Sequence, residues 1–142
     1  MILVMNIDDP GILATAYGKY PRQVFGIAYC YVAKNNYRWL LEKHEDLFIV
    51  AHGEATAIGN EAPGTGLDIS ADGLADWLIG NLLPGGYAGS IYISACGTAP
   101  TFIGAVFNHL RNAQPPVKIY GSYGDCSGKI EPPGNMMWVL AQ

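Results

Sequence analysis

The stretch LFIVAHG, residues 47–53, decides how this chain is read. Its apolar run has no polar alternate, which suits a strand covered on both faces, as in a parallel sheet. The run ends in His52-Gly53. A second stretch, SIYISACG at 90–97, has the same design and ends in Cys96-Gly97. Between them Leu74, Trp77, Leu78 and Leu82 recur at helical spacing, with Ser70 as a fitting N-cap. Pro84-Gly85-Gly86 stops that helix. A strand–helix–strand series of this kind gives parallel neighbours with the helix packed on a sheet face.

The pattern extends in both directions. Residues 1–7 are mostly apolar and read as a buried strand closed by the turn cluster Asp8-Asp9-Pro10-Gly11. Residues 24–32 (VFGIAYCYV) are rich in β-branched and aromatic side chains and predict a strand, with a buried helix as the alternative. Residues 37–43 predict a short helix capped by Asn35 or Asn36. Residues 54–69 read as a long loop, a length usually reserved for function. Pro100 opens a helix whose apolar face is Phe102, Ile103, Val106, Phe107 and Leu110. Pro115-Pro116 stops it, residues 117–120 (VKIY) form a further strand, and 136–140 are an edge strand or a docked tail. The expected whole is one α/β domain over residues 1–142, with a mainly parallel sheet and helices on both faces.

Composition narrows the function classes. Half of the 142 residues are hydrophobic and only 14% are charged, which excludes a disordered chain. No apolar run approaches the roughly 20 residues needed to span a membrane. Net charge is −4, with no Lys/Arg cluster of the kind that neutralises phosphates, so nucleic acid and polyphosphates are not expected partners. Every base lies in 19–43 or 111–129. The stretch between carries Glu45, Asp46, Glu54, Glu61, Asp68, Asp72 and Asp76, a face suited to a cationic partner. The start lacks the basic region and cleavage site of a signal peptide. The three cysteines, Cys30, Cys96 and Cys126, share no metal-ligand spacing and suit reduced thiols in a cytosol-like compartment. No metal or cofactor is expected.

The chemistry gathers at one edge. Ligand sites of open α/β sheets lie beyond the C-terminal ends of the strands, and both His52 and Cys96 stand just past such an end. The topology therefore brings an imidazole to a thiol across 44 residues of sequence. A neighbouring imidazole can take the thiol proton, and the thiolate is the nucleophile. The N–H groups of Gly53 and Cys96 are the candidate oxyanion donors. Gly97 lets a substrate backbone approach. No carboxylate stands out as a third member, and a Cys–His dyad can work without one.

LFIVAHG followed by SIYISACG resembles clan CD cysteine peptidases, the caspase and gingipain group. Their pattern is an apolar strand ending in His-Gly, then one ending in Ala-Cys or Gly-Cys. Residues 47–124 are most similar to the self-cleaving cysteine peptidase domain of MARTX and clostridial glucosylating toxins. There too a Ser-Ala-Asp-type helix start, here Ser70-Ala71-Asp72, lies between the two strands. Ser94-Ala95-Cys96-Gly97-Thr98 also resembles the cysteine motif of CHAT peptidases. The resemblance implies a caspase-like fold and an endopeptidase with His52 as base and Cys96 as nucleophile. It implies a P1 pocket partly around 117–124, where Asp125 could pair with a basic P1 residue. The toxin peptidases bind an inositol phosphate activator in a basic cleft, and this chain has too few bases there to expect one. A short self-contained peptidase suits the cytoplasm, or a secreted bacterial effector without a classical signal peptide.

Two other functions fit the same residues: a catalytically idle interaction module, and a cysteine-dependent deamidase or acyl transferase. The remaining reactive-looking residues have plainer readings. His109 suits the C-terminal end of its helix, Cys30 suits a strand core, and Cys126 suits a loop.

Overall fold

A computed structural model describes residues 1–6, 8–59, 68–114, 117–124 and 128–142. Its centre is a six-stranded sheet built from β1 (Ile2–Val4), β2 (Ala28–Cys30), β3 (Leu47–Val50), β7 (Ser90–Ser94), β8 (Lys118–Gly121) and β9 (Val139–Leu140). Their order across the sheet is β2-β1-β3-β7-β8-β9. All neighbours are parallel except β9, which runs antiparallel to β8. Residues 136–140 thus end as an edge strand. A smaller antiparallel sheet holds β4 (His52–Gly53), β5 (Ala57–Gly59) and β6 (Asp68–Ser70).

The alternation of side chains along β1, β3 and β7 splits the core in two. Leu3, Leu47, Ile49, Ile91 and Ile93 meet α3 (Ala71–Asn81) and α4 (Thr101–Leu110) on one face. Ile2, Val4, Phe48, Val50 and Tyr92 meet α1 (Pro10–Ala16) and α2 (Arg22–Phe25) on the other. Helices therefore cover both faces, and the strands that read as continuous apolar runs are the ones buried twice. On the α1 side Phe48, Tyr92 and Tyr120 stack ring on ring at 4.9 Å and 4.8 Å, and Trp138 meets Tyr92 edge-on at 5.0 Å. That aromatic row holds the C-terminal segment against β7 and β8.

α3 and α4 form where the 3.6-residue pattern predicts them. Ser70 caps α3 by accepting the Gly73 N–H at 3.2 Å. α3 buries Leu74, Ala75, Trp77 and Leu78, and α4 buries Phe102, Ile103, Val106 and Leu110.

Four local expectations are corrected. Residues 24–32 do not form one strand: Gly26 sits at φ +70°, which ends α2 and starts β2 afresh. Its neighbour Val24 is left exposed. Residues 37–43 form turns rather than a helix. Tyr37 is pinned instead, its O–H donating to Cys30 O at 2.7 Å and its N–H to Asn81 O at 2.6 Å. Asn36 makes an Asx turn by accepting the Arg38 N–H, and the Arg38 guanidinium donates to the C-terminal carbonyls of α3. The expected loop 54–69 contains β5 and β6, paired from Ala57–Ser70 to Gly59–Asp68, with 60–67 outside the described residues. The cluster at 8–11 is a helix start: Asp9 caps α1 and Pro10 takes its first position.

Candidate active site

The register of β3 against β7 sets the site. Val50 lies opposite Ser94, so His52 and Cys96 leave the sheet at the same level on adjacent strands. His52 and Gly53 continue as β4, which crosses to the nucleophile's loop. A Cβ on Gly53 would stand 2.8 Å from Ala95 Cβ and 2.9 Å from Cys96 O, so only glycine allows this approach. Glu54 Cα lies 3.8 Å from the position of a Cβ on Gly97. The two motifs are therefore packed against each other, as the strand ends imply.

The loop after β7 is stitched to the segment after β8. Thr98, fully buried, donates its hydroxyl to Ala95 O at 3.0 Å. Ser122 donates to the same carbonyl at 3.2 Å, and the Ala99 N–H donates to Ser122 O at 2.9 Å. The Gly97 N–H donates to Gly124 O at 3.3 Å, and Gly97 itself has φ +65°, where a side chain would be strained. Cys96 thus sits half-buried on a loop fixed at both ends.

The pairing of β4 with β5 sets the direction of the Gly53 backbone. Glu54 N–H bonds to Ala57 O, so alternation puts Gly53 at a non-hydrogen-bonded position opposite Ile58. Its N–H turns away from β5. Asp125 and Cys126 lie outside the described residues.

The structure adds a carboxylate that the sequence reading lacks. Asp9, just beyond β1, places Oδ2 2.7 Å from His52 Nε2, with both side chains 26% exposed. Its Oδ1 accepts the N–H groups of Gly11 at 2.8 Å and Ile12 at 3.0 Å. The Ile12 N–H is the main influence holding the Asp9 carboxyl below the ordinary carboxylate range; burial opposes it, and His52 and Gly11 add to it. The expected pair of His52 and Cys96 thus has a carboxylate beside its histidine, where the sequence reading placed none. The signal was present in the sequence, because Asp9 also follows an apolar strand that neighbours β3.

His109 lies in the last turn of α4, as expected, and its ring also reaches α3, with Nδ1 3.2 Å from Asp72 and Nε2 2.8 Å from Asp76. Cys30 is half-buried on the edge strand β2 rather than in the core. Among the described residues, no group of three or more His, Cys, Asp or Glu could hold a metal ion, and no helix is long and apolar enough to cross a membrane. Comparison with protein-family models, curated proteins and solved structures gives no match.

Proposed function

We propose that the chain is a caspase-like cysteine peptidase of the clan CD kind, with Cys96 as nucleophile, His52 as base and Asp9 orienting the histidine. The observation that carries this reading is the Asp9–His52 pair at 2.7 Å, at the sheet edge where Cys96 also emerges. A carboxylate on Nε2 favours the tautomer with its proton there, which leaves the lone pair on Nδ1. A mainly parallel sheet with helices on both faces, and histidine and cysteine at adjacent strand ends, agrees with the resemblance to that clan.

The reaction then runs as acyl transfer. His52 Nδ1 takes the Cys96 thiol proton, and the thiolate attacks the peptide carbonyl carbon, forming a C–S bond. The N–H groups of Gly53 and Cys96 hold the oxyanion. Collapse breaks the C–N bond, and His52 returns the proton to the leaving amine. Water, deprotonated by His52, opens the thioester and regenerates the thiol. Glu54 beside Gly97 and the base-free stretch around the site favour a cationic residue in the substrate.

Labelling by a peptidyl acyloxymethyl ketone tests the reading. It is expected at Cys96, abolished in Cys96→Ala and reduced in His52→Ala. Equal labelling of Cys30, Cys96 and Cys126 overturns it. Peptide reporters then separate the reactions: cleavage after Lys or Arg supports the peptidase, ammonia release from glutamine without cleavage identifies a deamidase, and cleavage after Leu alone overturns the cationic preference.

A further inference from the structure

We infer that the β2 edge of the sheet is a self-association surface, at which two copies of this chain pair their β2 strands antiparallel about a two-fold axis. The edge is open. Ile2 N–H bonds to Ile27 O and Tyr31 N–H to Val4 O, so Ile27, Tyr29 and Tyr31 turn their backbone toward β1. Ala28 and Cys30 turn theirs outward. Tyr37 occupies the Cys30 carbonyl, while the Ala28 N–H and C=O have no partner among the described residues. An exposed strand edge with free donors and acceptors is a template for another strand.

The flanks of this edge are apolar where a solvated surface would be polar. Among the described residues, exposed large hydrophobic side chains here include Tyr17, whose hydroxyl meets Cys30 Sγ, Ile27 at 47% and Val32, which flank β2 in the chain, and Leu40 at 40%, which lines a groove with Ile27. A cluster of this kind rimmed by polar groups marks an interaction surface. Arg22, Glu42, Ile27 and Leu40 line one groove of about 420 Å³ beside the strand. Neither Arg22 nor Glu42 has an ion-pair partner among the described residues.

The mixed charge of the groove selects the occupant. A two-fold contact brings residue i of one copy to residue j of the other and the reverse, so a patch carrying both signs is complementary to itself. Arg22 of each copy then faces Glu42 of the other, and the apolar side chains close over the paired strands. This surface lies at the sheet edge away from Cys96, so its test is independent of the proposed activity.

Sedimentation equilibrium of the whole chain, with near-ultraviolet circular dichroism to confirm folding, provides that test. The wild type is expected to dimerise below about 100 μM, an ordinary range for a small non-obligate interface. Ala28→Pro removes the outward donor without touching the bonds to β1, and Ile27→Lys charges the flank; each raises the dissociation constant about tenfold or more. Arg22→Glu and Glu42→Arg each weaken association about tenfold, and the double reversal restores it. Leu140→Lys, on the opposite edge strand, leaves association unchanged. A monomer at about 100 μM, or a dimer indifferent to Ala28→Pro and Ile27→Lys, overturns the inference. So does a dimer lost in Leu140→Lys.

Discussion

Asp9 uses its two carboxylate oxygens for two tasks, and substitutions can separate them. Oδ1 caps α1 through the Gly11 and Ile12 N–H groups, and Oδ2 holds His52 Nε2. Serine can still accept the cap bonds but does not reach the imidazole as an anion. Asp9→Ser is therefore expected to keep nearly wild-type stability while kcat/KM for a peptide reporter falls about 100-fold, the lower range of a general-base contribution. Asp9→Ala is expected to lose the same activity and in addition about 1 kcal/mol of stability with the cap. Reporter kinetics beside denaturant unfolding of both variants checks this, and activity loss that merely follows stability counts against an orienting role. The pairing spans 43 residues, so no local motif announces it. It becomes legible only from the rule that also joins His52 to Cys96, namely that residues just past the C-terminal ends of neighbouring strands meet. Asp9 was hidden by its neighbours: Asp-Asp-Pro-Gly reads as a turn, although Asp followed by Pro is equally a helix cap and first position.

At the scale of elements, the contact between α3 and α4 combines an apolar seam with one titratable clasp. Leu74, Leu78, Phe102 and Val106 belong to the shared core, while His109 reaches Asp72 and Asp76 at the surface. The hydrogen bond to Asp76, with Asp72 and the charges of both, raises the His109 pKa above its ordinary value despite an opposing effect of burial. A group whose folded pKa is raised stabilises the fold fully below its unfolded pKa, about 6.5 for histidine. That contribution is lost as pH rises through the folded value. The melting temperature of the wild type should therefore exceed that of His109→Gln most at mildly acidic pH, with the gap closing as pH rises through the folded value. A gap independent of pH would assign the difference to packing instead. These two helices were legible because period, cap and stop all agree, and β3, β7 and β8 because an unbroken apolar run fits a strand buried on both faces. Residues 24–32 and 37–43 misled because tertiary demands outweighed propensity. Gly26 at positive φ divides the first, and Tyr37 and Arg38 in the second serve β2 and the end of α3 with their own hydrogen bonds.

Across the whole molecule the parallel topology gathers a group of acids at the end of the sheet where Cys96 lies. Lys118 begins β8, Lys43 precedes β3, Arg38 meets the C-terminus of α3, and Arg111 ends α4, all at the N-terminal edge of the strands. Asp8 and Asp9 follow β1, Glu54 follows β4, and Asp68 and Asp72 open β6 and α3 at the opposite edge, where Cys96 lies. Glu45 and Asp46 precede β3 at the same edge as those bases, so only part of the base-free stretch, Glu54, Asp68 and Asp72, joins Asp8 and Asp9 as an acidic rim at the C-terminal edge. Its field extends about 30 Å at 0.01 M salt but only about 8 Å at 0.15 M, so its effect on encounter is separable from contact chemistry. If the cationic preference arises there, kcat/KM for Lys and Arg reporters should fall several-fold between those salt concentrations. A reporter with a neutral side chain should change little over the same range, and Glu54→Gln should shrink the salt response of the cationic reporters. Parallel salt dependence for both classes would leave the acidic edge without a role in choosing substrate, and the preference would then have to come from a contact within the cleft.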